Sequence, residues 1–212
     1  MTKVVAISRA IGAEGERIGA LVASGLGFRY VDEEIISLAA KRQGLEPEAI
    51  ADAERRKSLL LRVLEGLGQT GAASATATPG GPVWIPDDSS ELVRTHDLRE
   101  LIREAVIETA SQGDVVIVAH AASFALGDRE DVLRVMITAP TEARTARLAQ
   151  ARGVDASEAA RELKRSDEAR ASYLKGFYGI DRELPTHYDL VVNTDRLDAG
   201  AAAAIIIHAA GV

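Results

Sequence analysis

Cysteine is absent from the chain, so neither a disulfide framework nor a thiolate metal site is open to it. No apolar run approaches the roughly 20 residues that a membrane-spanning helix needs. The opening Met1-Thr2-Lys3, followed at once by an apolar strand, lacks the long apolar region and cleavage site of a signal peptide. A cytoplasmic location with no membrane partner is therefore expected. An excess of positive charge is lacking too. The formal net charge is −7, which argues against a general nucleic-acid binder. His96, His187 and His208 stand in no spacing with Asp or Glu that suggests zinc, and no metal ligand is assigned. Lysine is scarce, with 5 against 20 arginines. Genomic base composition is the simpler reading, and the fit of planar guanidinium forks to phosphates is the functional one. No internal repeat is visible.

What the chain does have is enough apolar material for a substantial core. Its 212 residues are 47% hydrophobic, and one domain over 1–212 is expected. Four short apolar runs, Lys3–Ile7, Val115–Ala119, Leu133–Thr138 and Leu190–Asn193, read as strands covered on both faces, with a weaker one at Phe28–Val31. Between them lie helical patterns at Glu16–Leu26, Glu33–Lys41, Leu98–Ala110, Thr141–Ala151, Ala156–Phe177 and Ala199–Ala209. This alternation predicts an α/β three-layer sandwich around a parallel sheet. Ligands of such sheets sit beyond the C-terminal strand ends. Ser8, Asp32, His120 and Asn193 each follow a strand, so all four are candidates for one crevice. The segment Gly66–Asp88 is rich in Gly, Ala, Thr and Pro and reads as a loop or insertion. Its Trp84, the only tryptophan, either pins that loop to the body or caps a ligand or partner.

The N-terminal strand runs into Ser8-Arg9-Ala10-Ile11-Gly12-Ala13-Glu14-Gly15-Glu16-Arg17 and then into an amphipathic helix. Strand, glycine loop and helix N-terminus form the layout by which backbone N–H groups hold a phosphate. The usual P-loop lysine and the Ser/Thr after it are missing. A dehydrogenase reading of Gly12-x-x-Gly15-x-x-x-Gly19 is weak, because the spacing is not G-x-G-x-x-G and no Tyr-x-x-x-Lys pair follows. Further on, Asp155-Ala156-Ser157-Glu158 forms a capping box for a helix carrying Arg161, Lys164, Arg165, Asp167, Arg170 and Lys175. One reading is a solvated face with Asp167–Arg170 as an i,i+3 pair. The other is a lid whose arginines swing over transferring phosphates.

Arg165-Ser166-Asp167-Glu168-Ala169-Arg170-Ala171-Ser172-Tyr173, Phe177-Tyr178-Gly179-Ile180-Asp181 and Tyr188-Asp189-Leu190-Val191-Val192-Asn193-Thr194 resemble the cytidylate kinase-like family. The opening Ile7-Ser8-Arg9 with Gly12-x-x-Gly15 and Ile18-Gly19 is similar to that family's start. So are Tyr30-x-Asp32-x-Glu34-Ile35-Ile36 and Ala139-Pro140-x-Glu142-x-Arg144-x-x-Arg147. The resemblance covers nearly the whole chain except about 59–94, read as a variable insertion. It implies a P-loop nucleoside-monophosphate-kinase fold with a helical lid at about 152–183, ATP as phosphoryl donor, Mg²⁺ bound through the nucleotide, and a pyrimidine monophosphate as nominal acceptor. On that pattern Ser8, Arg9, Gly12, Ala13, Glu14, Gly15, Glu16 and Arg17 face the donor phosphates. Arg144, Arg147, Arg165 and Arg170 are lid or lid-base arginines, Asp167 orients Arg170 or its neighbour, and Asp32 and His120 lie on the acceptor side.

The sequence also departs from that pattern. Gly15 falls where the lysine of a true cytidylate kinase stands. Glu14 replaces a glycine of the family's usual loop, and Ala119-His120-Ala121 replaces its Gly-Arg-Gly. A carboxylate about 4 Å from a phosphate costs about 4 kcal/mol at an effective dielectric near 20, unless it turns to solvent or Arg17 offsets it. His120 is either a structural histidine or a pH-dependent phosphate or base contact. Two functions remain open, an ATP-dependent kinase of a nucleoside monophosphate or similar small acceptor and a catalytically silent nucleotide-binding protein.

Overall fold

The computed structural model describes residues 1–32, 102–118 and 121–211. Five strands, β1 (Val4–Arg9), β2 (Arg29–Val31), β3 (Val115–Val118), β4 (Val132–Thr138) and β5 (Leu190–Asn193), form one sheet in the order β2-β3-β1-β4-β5. Every pairing is parallel. Val5 stands beside Val116 and Leu133, Ala6 beside Ile117, Ile7 beside Val135, and Met136 beside Val191. The expected parallel α/β sheet is thus present, with the first strand of the chain at its centre. Parallel neighbours require long crossovers, which the helices supply.

The helices are α1 (Gly15–Leu26), α2 (102–111), α3 (Ala122–Leu126), α4 (Thr141–Arg152), α5 (Ala156–Tyr178) and α6 (Ala199–Ala209). Because successive strand side chains point to opposite faces, β1 feeds two cores. Val5 and Ile7 join Ile18 and Val22 of α1 and Ala202, Ala203 and Ile206 of α6 on one face. Val4 and Ala6 join Ile102, Ala105 and Val106 of α2 and Leu126 of α3 on the other. On α1 the buried positions Gly15, Ile18, Gly19, Val22 and Ala23 recur at helical spacing, whereas Leu21 faces solvent. Close approach of α1 and α6 needs Gly25, where a Cβ would lie 2.4 Å from Ile207 Cδ1.

The predicted elements agree to within a residue or two, with three differences. β5 is not covered on both faces. It is the sheet edge, only Val192 is buried, and Val191 is 39% exposed. The short α3 and a 3₁₀ turn at Pro185–His187 have no periodic signal and were not expected. The expected helix at 33–41, the segment 66–88 with Trp84, the insertion at 59–94 and His120 lie outside the described residues. Among the described residues no helix is long and apolar enough to cross a membrane.

The α4–α5 pair projects from the C-terminal ends of β4 and β5. Its own small core of Leu148, Ala159 and Leu163 also receives Ile11 from the loop after β1. Asp155 caps α5, its carboxylate accepting the Glu158 N–H at 2.8 Å, as the capping box predicts.

Helix α1 supplies a direct test of this packing. Ile18→Ala, at a wholly buried site, should cost about 2–4 kcal/mol in urea unfolding. Leu21→Ala, at 41% exposure on the same helix, should cost less than about 1 kcal/mol. Equal losses would mean that α1 presents a different face to the sheet.

Candidate functional site

The loop from Ala10 to Glu14 leaves the C-terminal end of the central strand and turns into α1. Ala10 N–H is held by Ile137 O of β4 at 3.0 Å, and Ala13 N–H returns to Ala10 O at 3.1 Å. Gly12 has φ of 77°, and a Cβ there would sit 2.7 Å from the Arg144 carbonyl oxygen, so the position admits only glycine. Glu14 occupies the left-handed region, with φ of 63°, at the helix N-cap. It makes no side-chain cap hydrogen bond and instead pairs with Arg17 at 3.2 Å. The first-turn N–H groups of α1 are thus left for another acceptor, as an anion cradle requires. The Arg17 pair is the expected offset to the Glu14 charge.

Two arginines of α4 brace this loop from beneath. Arg147 donates to the Thr194 carbonyl at 2.6 Å, to Thr194 Oγ1 at 3.1 Å and to Gly12 O at 3.4 Å. The fully buried Thr194 hydroxyl has the carbonyls of Ala13 and Thr138 within 3.2 and 3.3 Å. Arg144 grips Asp167 with both terminal nitrogens, at 2.9 and 2.7 Å, and reaches Ile11 O at 3.4 Å. The expected Asp167–Arg170 pair is therefore not formed. Asp167 meets the nearly buried fork of Arg144 bidentately, a stronger arrangement than an exposed i,i+3 pair, and Arg170 finds its own carboxylate.

That carboxylate is Glu183. Arg170 donates to its two oxygens from Nε at 2.9 Å and Nη2 at 2.6 Å. Arg170 Nη2 also donates to the buried Ser8 Oγ at the end of β1. Tyr188 donates to Glu183, and its hydroxyl lies 3.2 Å from Ser8 Oγ. Burial works against the charge on Arg170, but hydrogen bonding and attraction from Glu183 more than offset it, and the guanidinium is held above its ordinary pKa. Burial likewise opposes the Glu183 carboxylate, yet Arg170 and Tyr188 hold it below the usual 4.5. Burial, then Glu183, push the Tyr188 phenol up. Arg170 is thus not the exposed lid residue that the sequence suggests. Its side chain is 24% exposed and committed to this cluster, whereas Arg165 is exposed and makes no ion pair among the described residues.

On the opposite flank of the loop, Arg9 Nη2 meets Glu16 Oε1 at 2.7 Å. Tyr30 donates to Asp32 Oδ2 at 3.2 Å, and burial, then the Asp32 charge, raise its pKa. The structure therefore gathers Ser8, Arg9, Gly12, Ala13, Glu14, Gly15, Glu16 and Arg17 with Arg144, Arg147, Asp167 and Arg170 around one sheet end. Asp32 flanks them, and Asn193 accepts the Asp195 N–H at 2.9 Å. Sequence reasoning assigned no role to Thr194, Glu183 or Tyr188. Thr194 and Tyr188 stand in the motif around β5, whereas Glu183 carries no local signal.

A strand–loop–helix of this form at the centre of a 2-3-1-4-5 sheet invites comparison with known proteins. The Cytidylate kinase-like family matches residues 4–196. The chain belongs to the cytidylate kinase-like family. Among curated relatives of this cytidylate kinase-like protein, the cytidylate kinase of Ignicoccus hospitalis is 38% identical over 98 residues, 46% of this chain and 55% of that protein. That of Methanopyrus kandleri is 33% identical over 97 residues, 42% of this chain and 50% of that protein. The chain spans about half the length of these curated relatives. A crystal structure of an uncharacterized protein from Eubacterium ventriosum superposes with a TM-score of 0.69 at 17% identity, covering 100% of this chain and 99% of that one. Shikimate kinase from Bacteroides thetaiotaomicron gives 0.54 at 14% identity, with 99% of each chain covered. These likenesses establish an α/β kinase fold.

Two measurements separate the arginines of this family member. Arg170→Ala strands Glu183 and should cost about 2–4 kcal/mol, whereas Arg165→Ala should leave the melting temperature within about 1 °C of the parent. A melting temperature unchanged by Arg170→Ala would dissolve the cluster. The acid limb supplies the second test. The folded-state pKa of Glu183 is depressed, so its contribution is complete above the ordinary 4.5 and lost as pH falls below that through the lower native value. Glu183→Gln should flatten this acid limb in denaturant titrations run at successive pH values.

Proposed function

We propose that this protein transfers the γ-phosphoryl group of ATP to a nucleoside monophosphate, with cytidylate as the nominal acceptor. The family match over residues 4–196, joined to an uncapped helix start behind a glycine loop, carries the reading. On it the chain acts as a single kinase domain over 1–212, with an insertion at 59–94 and a lid at 152–183. The loop from Ser8 to Arg17 receives the donor phosphates on backbone N–H groups other than those of Ala10 and Ala13, which are given to Ile137 O and Ala10 O, and α1 adds the favourable end of its dipole. Phosphoryl transfer asks chiefly for positioning and for positive charge around the transferring group. Arg144, Arg147 and Arg170 serve positioning, since they fix the loop and the base of the lid. Arg161 and Arg165, exposed one turn apart on α5 and in no ion pair among the described residues, are lid cations open to phosphate. Asp32, behind β2, and His120 belong to the acceptor side. Gly15 and Glu16 offer no hydroxyl where P-loops seat Mg²⁺, so the residues present do not form the usual metal seat.

Glu14 and Gly15 favour a second reading, a nucleotide-binding protein without turnover. A melting-temperature panel of ATP, CMP, UMP and AMP, each with and without Mg²⁺, coupled to ADP detection, decides between them. A ligand at about 100 times its Kd should add about 2.7 kcal/mol. ATP stabilisation with ADP formation on a pyrimidine monophosphate supports the kinase. Stabilisation without ADP formation selects the silent protein, and no stabilisation by any nucleotide removes both.

Glu14→Gly should raise ATP affinity about fivefold, a gain of about 1 kcal/mol, because it withdraws an anion from the phosphate cradle. It should also stabilise the unliganded fold by about 1 kcal/mol, since glycine accepts the left-handed backbone freely. Calorimetric titration at low and high salt checks the first effect, which should shrink with screening. Unchanged affinity would mean that Glu14 faces no phosphate.

A further inference from the structure

The P-loop pattern G-x-x-x-x-G-K places a glycine at the strand end and a lysine six residues later. With Gly15 at the lysine position, the strand-end glycine position is Arg9. The two residues have exchanged character, and the geometry explains why they must do so together. A Cβ on Gly15 would lie 2.5 Å from Arg9 Cβ, 2.7 Å from its Cδ and 3.1 Å from its Cγ. Positions 9 and 15 face each other across the loop, and there is room for one side chain between them. An ordinary loop keeps the helix-side chain and leaves the strand side bare. This loop does the reverse.

The Arg9 stem lies against the bare Gly15 backbone, and its Nη2 reaches Glu16 in the first turn of α1. Its Nε is buried and has no hydrogen-bond partner among the described residues, a cost that an intact pair with Glu16 does not remove. Glu16 is 52% exposed on its side chain against 22% for Arg9, so the carboxylate is the member of the pair that can swing into water. We propose that Arg9 is the phosphate-binding cation of this loop, entering from the strand in place of the missing lysine, and that Glu16 holds it in position until a phosphate displaces the carboxylate. The inference rests on the nucleotide reading above. A guanidinium offers two parallel donors to phosphate oxygens, so the substitution changes the direction of approach without losing charge.

The test is calorimetric titration of ATP–Mg²⁺, ADP and AMP into the full chain and four variants. Arg9→Met keeps the apolar stem over Gly15 and removes the charge. It should weaken ATP binding about tenfold to thirtyfold and largely abolish the preference for ATP over AMP. Glu16→Gln should bind ATP several-fold more tightly, and that gain should vanish in Arg9→Met/Glu16→Gln. A gain cannot arise from misfolding, so this arm stands even if Arg9→Met is unstable. The transposed variant Arg9→Gly/Gly15→Lys should return ATP affinity to within about threefold of the parent. Parent-like ATP affinity in Arg9→Met, or a Glu16→Gln gain that persists without Arg9, overturns the assignment and leaves Arg9 as a packing residue. Failure of the parent itself to bind ATP overturns the nucleotide reading instead. A transposed variant that folds but does not recover affinity overturns the exchange of positions.

Discussion

The grip of α4 on the backbone of the first loop is the constraint from which the rest of the site follows. A glycine loop is useful to an anion only if its N–H groups keep their directions. Here the carbonyls on the far side of the same peptides are held. Arg147 and the Thr194 hydroxyl take Gly12 O and Ala13 O, while Arg144 takes Ile11 O. Fixing a carbonyl fixes the opposite N–H of the same planar peptide. Thr194 is wholly buried and is itself held by β4 through its N–H to Thr138 O at 2.8 Å. The loop is therefore oriented from the edge of the sheet by one hydroxyl and the guanidinium bound beside it, and from α4 by a second guanidinium.

The same hydrogen bonds tie the loop to α5. Arg144 joins Ile11 O to Asp167, and Arg170 joins Ser8 to Glu183. The two ties lie three residues apart on α5 and end on either side of the loop. Motion of the helix as a rigid body would break a bidentate ion pair at each of them. Among the described residues, the segment after Arg170, leading to Gly179, has no such ion-pair tie to the loop, whereas before Asp167 the side chains of Ala159 and Leu163 share a core with Ile11.

Much of the fold was legible because a parallel sheet buries both strand faces, and continuous apolar runs are its direct imprint. β1 and β3 show this most fully, β4 buries Val132, Val135 and Ile137 while carrying the ion-paired Arg134, and the helices followed from apolar periodicity. β5 misled because Leu190-Val191-Val192 is as apolar as the central runs while lying at the edge, and strand order is a property of crossovers that a single run does not carry. The short α3 has too few residues for a period. In the site, the loop was legible because its chemistry is local, one strand, one turn and one helix start. The partners of the arginines were not. Asp167 sits 23 positions from Arg144, and Ser8 sits 162 positions from Arg170. Sequence proximity favoured an i,i+3 pair that the fold replaced with two longer-range ones.

That replacement alters what an arginine-rich sequence means. An arginine near a phosphate loop can neutralise phosphate or can hold the protein groups that do, and the residue type alone does not distinguish the roles. The companion carboxylate does. Arg144 and Arg170 each meet a carboxylate bidentately, a geometry that already satisfies the fork a phosphate would use. Displacing Arg170 would leave Glu183 uncompensated in a poorly solvated place, and displacing Asp167 would leave the nearly buried Arg144 unpaired. Arg147 is likewise occupied by Thr194. Among the described arginines of the loop and α5, those open to an incoming anion are Arg9, whose partner Glu16 faces water, Arg17, itself 72% exposed, and the exposed Arg161 and Arg165. Among the described residues of the site, the commitment of Arg144, Arg147 and Arg170 to protein partners leaves attraction for an anion to the loop mouth and the outer turns of α5.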